Sequence, residues 1–398
     1  MKSVHILHHS VSPFRDQIPD KDSLHYNTGI PMLFARAIRS RYPEFQVEVW
    51  RPEHTLRSPY TWEDEGGIMH RIFPSWRIRY KIEVSLPLLK AAMSLVKEKQ
   101  TYIWVHGIYN LHSYLLAFIL KKTPTIAQSH GGFPALAMFL KSRHRLLRYL
   151  YLLLHPIEKH VFSQYPQIFV LSREEQHYFQ EFLKIRANKI TLSPTGVDFD
   201  HFSPGDRRKA RTVCGLNRRG RIVLYVGRLA KEKGVRYLVK AFSSIVNRFK
   251  DAQLYIIGRG PKQHTLKRMA LDLGLEKHVH FVGYIPQEEL PCWYRSADIT
   301  VIPQLEWFDK VSVESMACKT PVVMTKAGGA LEIIKEFEGG VLVPAKNSDA
   351  IAEAVCQGLV SSKKFQPNIE RARSMFDWSV KLSRAFEIFE TMKNHSDL

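Results

Sequence analysis

The chain has 398 residues, of which 45% are hydrophobic and 24% charged, the mix of a soluble globular protein long enough for two domains. That balance excludes a disordered, collagen-like or coiled-coil chain. Fifty-eight Lys and Arg against 38 Asp and Glu leave a net charge of +20, which favours anionic partners: nucleic acid, an acidic membrane surface or phosphorylated small molecules.

Short β-branched or aromatic runs alternate with helix-period segments. In chain order the expected strands are 4–7, 47–50, 102–106, 125–129, 167–171 and 190–193, then a second series at 221–226, 253–257, 278–282, 299–302, 321–324 and 341–343. The second series reads as nearly unbroken apolar runs, which suits parallel strands buried on both faces. Between strands, Ile30, Leu33, Phe34, Ala37 and Ile38 fall on one helical stripe, as do Val235, Leu238, Val239, Phe242, Ile245 and Val246. Strand, helix, strand, helix predicts doubly wound α/β sheets. A seam follows Ser193-Pro194-Thr195-Gly196-Val197-Asp198, where Ser203-Pro204-Gly205-Asp206 and the basic stretch Arg207 to Arg211 read as a linker. In open α/β sheets ligands bind beyond the carboxyl ends of the strands, so two facing sheets would hold one in the cleft between them.

The apolar runs 114–120 and 149–154 fall short of the ~20 residues that a membrane span needs. The opening residues, with His8, His9 and Ser10, are too polar for a signal peptide. Cys214, Cys292, Cys318 and Cys356 form no CxxC pair and so neither a zinc site nor a disulfide framework, which points to a reducing, cytoplasmic setting. From Lys99 to Ile157 there is no acidic residue, and Lys121, Lys122, Lys141, Arg143, Arg145 and Arg148 accompany a Tyr- and Leu-rich run. Such a segment suits either a helix lying on an anionic membrane or a core helix with a solvated cationic end.

Four places carry candidate chemistry. Glu306-Trp307-Phe308-Asp309-Lys310-Val311-Ser312-Val313-Glu314 follows a strand; its two glutamates converge only if Glu306 is in the loop and Glu314 in the first turns of a helix. A helix start attracts phosphate, and carboxylates accept hydrogen bonds from sugar hydroxyls. On spacing alone two surface acids at a helix N-terminus explain it as well. Gly227-Arg228 through Lys233-Gly234 joins a strand end to a helix with a guanidinium and an ammonium suited to phosphate, or is a solvated basic loop. Asn27-Thr28-Gly29-Ile30-Pro31 opens the first helix. Finally, His130 and His106 stand at the carboxyl ends of neighbouring strands.

In their order along the chain these pieces, with Gly258-Arg259-Gly260-Pro261, Phe281-Val282-Gly283, Ser296-Ala297-Asp298, Gly328-Gly329-Ala330-Leu331-Glu332, Gly340-Val341-Leu342-Val343-Pro344 and Phe376-Asp377-Trp378, resemble a retaining glycosyltransferase of family GT4. The resemblance covers essentially the whole chain and is densest from Pro194 to Trp378. It implies the α/β GT-B fold: two facing Rossmann-like, doubly wound parallel-sheet domains with an interdomain cleft. The acceptor-side domain would be residues 1–195, with the C-terminal helix 379–398 packing back on it, and the nucleotide-sugar domain residues 196–378.

The resemblance also implies roles. Arg228 and Lys233 would hold the donor diphosphate and offset the charge of the leaving nucleotide, and Glu314 would bind the ribose hydroxyls. Glu306 would contact the transferred sugar, with His130 beside that sugar on the acceptor side. Gly29, Lys310 and Val311 would lie near the phosphates, and Gly283 and Tyr284 near the base. The donor would be UDP- or GDP-linked, with no metal or other cofactor. The acceptor would be a glycan or lipid-linked precursor at the inner face of the cell membrane, with no nucleic-acid partner. Thr28 and Thr195 depart from the family pattern, and Asp309 stands where a Gly is usual. A carboxylate there would repel the diphosphate, bind a sugar hydroxyl or pair with Lys310. A nucleotide-sugar epimerase or hydrolase, and a non-catalytic basic anion- or membrane-binding protein, are the alternative readings.

Overall fold

The computed structural model describes residues 3–8, 30–79, 82–98, 100–130, 145–217, 219–305, 310–327, 329–361 and 365–396. The chain divides into two compact units, Met1–Ser193 with Leu382–Leu398, and Pro194–Lys381.

The first unit carries β1 (Ser3–His8), β2 (Gln46–Glu53), β3 (Tyr60–Glu63), β4 (Met69–Pro74), β5 (Trp76–Arg79), β6 (Ile82–Val84), β7 (Thr101–His106), β8 (Thr125–Gln128), β9 (Gln167–Val170) and β10 (Ile190–Leu192). Its sheet runs β10-β9-β8-β7-β1-β2-β4-β3. All pairs in it are parallel except β3 with β4, and β5 and β6 form a separate antiparallel pair. The strand order reverses between β1 and β7, where His8 stands opposite His106. On one face Ile103 and Val105 pack with Leu88, Ala92 and Phe162. On the other, Tyr102 and Trp104 meet Phe386 and Phe389 of the helix Trp378–Ser396.

The second unit carries β11 (Arg221–Val226), β12 (Ala252–Ile257), β13 (Val279–Gly283), β14 (Ile299–Ile302), β15 (Val322–Thr325) and β16 (Val341–Val343). They form one fully parallel sheet in the order β13-β12-β11-β14-β15-β16. Successive side chains of a strand point to opposite faces. Val223 and Tyr225 accordingly enter the core under the helices Val235–Arg248 and Ser348–Val360. Ile222, Leu224 and Val226 enter the core shared with the helices Lys310–Ala317 and Ala330–Phe337. Burial on both faces is why β11 shows no polar alternation.

The expected linker at residues 203–211 is instead folded structure. Arg207–Val213 is a helix capped by Asp206, whose side chain accepts from Lys209 N. Arg211, 5% exposed, donates to Asp298 Oδ2 at 2.7 Å and to the carbonyls of Ser296 and Gly220, while Arg207 pairs with Asp298 Oδ1 at 2.8 Å. Charge that reads as solvated in sequence is here a packed network. Two motifs far apart in sequence also meet. Val197 N donates to the Phe376 carbonyl at 2.8 Å, Trp378 N donates to the Val197 carbonyl at 3.2 Å, and the Trp378 ring lies where a Cβ on Gly196 would be.

Asp298→Ala leaves the Arg211 guanidinium buried without its carboxylate and is expected to cost about 3–5 kcal/mol in urea denaturation. Arg207→Ala, at the solvated end of the network, is expected to cost less than about 1 kcal/mol. Equal costs would disprove this division of the network.

Candidate functional site

In the second unit the strand order reverses between β11 and β14, and the loops leaving these strands are locked together. Gly234, at φ +65°, ends the turn Lys231–Lys233 and opens the helix Val235–Arg248; a Cβ there would lie 1.9 Å from the Pro303 carbonyl oxygen. Only glycine lets the turn sit on the end of β14. Leu305 N then donates to the Glu232 carbonyl at 2.8 Å, and Lys233 Nζ donates to Gln304 Oε1 at 3.2 Å. The Arg228 guanidinium pairs with Glu232 one turn on. On the other side of β11, a Cβ on Gly258 (φ +126°) would lie 2.0 Å from the Gly227 carbonyl oxygen, and Gly258 N donates to the Gly283 carbonyl at 2.6 Å. Tyr284, just beyond Gly283, is 64% exposed.

The helix Lys310–Ala317 follows β14. Its Glu314 is 1% exposed, yet both carboxylate oxygens are engaged. Tyr294 OH donates to Oε2 and Lys310 Nζ to Oε1, each at 2.9 Å. Val311 turns its side chain into the core. Lys233, Arg228, Lys310 and Glu314 thus all belong to the loops and helix that leave β11 and β14. Glu306, Asp309 and Gly29 lie outside the described residues. Sequence reading missed Tyr294 and Gln304. Gln304 sits in no charged or glycine-rich motif, and the only cue to Tyr294 was its place just before Ser296-Ala297-Asp298.

In the first unit, His106 ends β7 and His130 lies just past the end of β8, where His106 stands opposite Gln128. His106 Nδ1 and His130 Nε2 are 2.5 Å apart. Burial pushes the His130 imidazole down to about 3. Beneath them is a carboxylate that sequence reading also missed. Glu175 accepts hydrogen bonds from the Ser129 hydroxyl, from Tyr109 OH at 2.9 Å and from Leu171 N at 2.9 Å, and burial raises its pKa. It anchors the residue next to His130. The helix Arg145–Gln164 contains the run 149–154, whose side chains, like all of Lys141 and Arg143, lie outside the described residues. Among the described residues no helix is long and apolar enough to cross a membrane.

Two family profiles match the chain: "Glycosyltransferase Family 4" over residues 32–201 and "Glycosyl transferases group 1" over residues 206–375. The chain belongs to glycosyltransferase family GT4. Among curated members, a GDP-mannose-dependent alpha-(1-6)-phosphatidylinositol monomannoside mannosyltransferase of Mycolicibacterium smegmatis is 38% identical over 172 residues, 41% of this chain and 45% of that protein. D-inositol 3-phosphate glycosyltransferase 2 of Catenulispora acidiphila is 32% identical over 213 residues, 50% of this chain and 49% of that protein. The chain spans about half the length of these relatives. Among solved structures, Anabaena HepE in complex with UDP superposes with a TM-score of 0.72 at 18% identity over 98% of this chain and 100% of that one. The sucrose-phosphate synthase of Thermosynechococcus elongatus gives 0.71 at 19% identity, over 98% and 99%. The fold is GT-B.

Burial pushes His5 as well as His130 down to about 3, with the Arg71 guanidinium adding to the effect at His5. Unfolded, each takes up a proton near about 6.5. Above that pH neither state binds the proton. Between about 6.5 and about 3 only the unfolded chain does, so stability falls as pH falls through this window. Urea denaturation is expected to show a smaller loss between about pH 7 and about pH 5 in His130→Gln than in the wild type. Equal losses would refute this account of His130.

Proposed function

We propose that this chain is a retaining glycosyltransferase. It moves a hexosyl-type sugar from a UDP- or GDP-linked donor to a lipid-linked or cell-surface glycan precursor. The supporting observation is that Arg228 and Lys233 lie on the loop leaving β11, and Lys310 and Glu314 on the helix that follows β14, at the place where the strand order reverses. In doubly wound sheets that switch point is where ligands bind. GT4 membership and the names of the relatives support the same reading.

In this reading Arg228 and Lys233 bind the diphosphate and stabilise the charge that develops on it as the bond to the sugar breaks. Glu232 keeps the guanidinium oriented before the donor arrives, and Gln304 does the same for the Lys233 ammonium. Glu314, held at both oxygens, keeps lone pairs for two ribose hydroxyls. Glu306 contacts the transferred sugar, with Gly29, Lys310 and Val311 near the phosphates, Gly283 and Tyr284 near the base, and His130 beside the sugar. The acceptor hydroxyl attacks from the face the nucleotide leaves, and the departing phosphate takes its proton. No enzyme carboxylate then has to become a covalent intermediate, unlike the paired carboxylates of retaining glycosidases. Fixed cations do the work of a metal, so turnover needs none. The protein is cytoplasmic in this reading and meets the inner membrane face, where its net charge of +20 suits contact with anionic lipid.

Thermal shift with UDP, GDP and a panel of their sugars is expected to single out one nucleotide, which stabilises by ~2.7 kcal/mol at a hundredfold excess over its dissociation constant. Absence of binding by every nucleotide would overturn the reading. With the donor known, Arg228→Ala and Glu306→Gln are each expected to lower turnover by roughly 10²-fold or more. A wild-type rate in either removes the role given to that residue. In flotation assays the protein is expected to rise with phosphatidylglycerol vesicles at low salt and to stay behind with phosphatidylcholine; indifference to lipid charge would remove the membrane contact.

A further inference from the structure

The His106–His130 contact has a geometry of its own. The ring planes lie within 10° of each other and the centroids are 4.8 Å apart, yet the nearest nitrogens are 2.5 Å apart. Rings so related lie edge to edge in nearly one plane, so the contact is a hydrogen bond along the rings and not a face-to-face stack. Two neutral imidazoles hold one proton between such nitrogens. Two protons there would collide, and two bare lone pairs would repel. The tautomer of one ring therefore dictates that of the other.

His106 has little freedom to adjust. It is 1% exposed, with the Phe34 ring edge-on at 4.7 Å and the Trp104 ring at 5.9 Å. His130 lies past its strand, and its second nitrogen, Nδ1, is buried with no hydrogen-bond partner among the described residues. A buried polar atom left without a partner is costly, and one at a strand's carboxyl end is placed to be satisfied by a ligand. A sugar-phosphate ligand presents mainly oxygen lone pairs. These are met by an N–H and repelled by a bare nitrogen.

We propose that His106 is a positioning residue: its Nδ1–H donates to His130 Nε2 and holds His130 in one neutral tautomer, whose Nδ1–H is then offered to an oxygen of the bound ligand. The choice of tautomer and the ligand half of this proposal rest on the sugar-nucleotide reading; the coupling of the two rings through one shared proton rests on their geometry alone.

The test is a ¹⁵N spectrum of the histidine rings in the full chain without ligand, the His130 signals being assigned by their loss in His130→Gln. The wild type is expected to show His130 protonated at Nδ1 and bare at Nε2. His106→Asn, whose amide can donate from about the place of Nδ1, is expected to keep that pattern. His106→Phe, which keeps the ring and removes the donor, is expected to give mixed tautomers. A proton on His130 Nε2 in the wild type, or an unchanged His130 in His106→Phe, overturns the proposal. The wild-type spectrum decides the tautomer even if the phenylalanine variant does not fold. With the nucleotide sugar selected by thermal shift, His106→Phe is expected to weaken binding about tenfold and His106→Asn to restore it. If His130 shows the stated tautomer and no nucleotide binds, the sugar-nucleotide reading fails and the positioning role stands. If a nucleotide sugar binds equally well in all three proteins, the ligand half fails and the sugar-nucleotide reading stands.

Discussion

The close approach of Gly234 to the Pro303 carbonyl is the constraint on which the second unit's candidate site depends. Any side chain at 234 would push the turn Lys231–Lys233 away from β14, and the Glu232 carbonyl and Lys233 ammonium would then lose Leu305 and Gln304. The loop that carries Arg228 and Lys233 is thus fixed to the strand that leads into the helix of Glu314. This is a means of bringing cations and a carboxylate to one edge of a sheet without either being drawn into an ion pair with the other. Arg228 has Glu232, Lys233 has Gln304, and Glu314 has Lys310 and Tyr294.

Glu175 and Arg211 show how a charged group is buried in each unit. Each is surrounded by donors or acceptors that take up more than one of its atoms, as unpaired buried charge is prohibitive. Glu175 collects a serine hydroxyl, a phenol and a backbone N–H; Arg211 collects two carbonyls and a carboxylate. Such networks also fix position. Glu175 steadies Ser129, and so the start of the segment that carries His130. Asp298 ties the helix Arg207–Val213 to the start of β11 through its bond from Ile222 N at 2.7 Å.

Much of the fold was legible because burial on both faces of a parallel strand leaves a run of apolar residues with few rivals for its interpretation. The strands 221–226, 299–302 and 341–343 coincide with β11, β14 and β16. β3 and β4 were not legible. β3 is the edge strand, with half of its residues exposed, and β4 lies beside it, where Met69-His70-Arg71-Ile72 mixes charge with apolar residues. The helix Arg207–Val213 was misread for the opposite reason, since its charge resembles that of a solvated loop until Asp298 is beside it.

By itself the sequence determined the alternation of strand and helix, the glycines at strand ends, and which motifs could carry phosphate or sugar chemistry. These follow from local rules: unbroken apolar runs for strands buried on both faces, the 3.6-residue period of helices, and the need for a missing Cβ where the backbone turns with positive φ. Only the tertiary structure decided which polar groups share a proton or a charge. Tyr294 reaches Glu314 from another helix, Gln304 meets Lys233 across a switch in strand order, and His106 meets His130 through strand register. A hydrogen bond is made over about 3 Å of space, and chain separation carries no record of it.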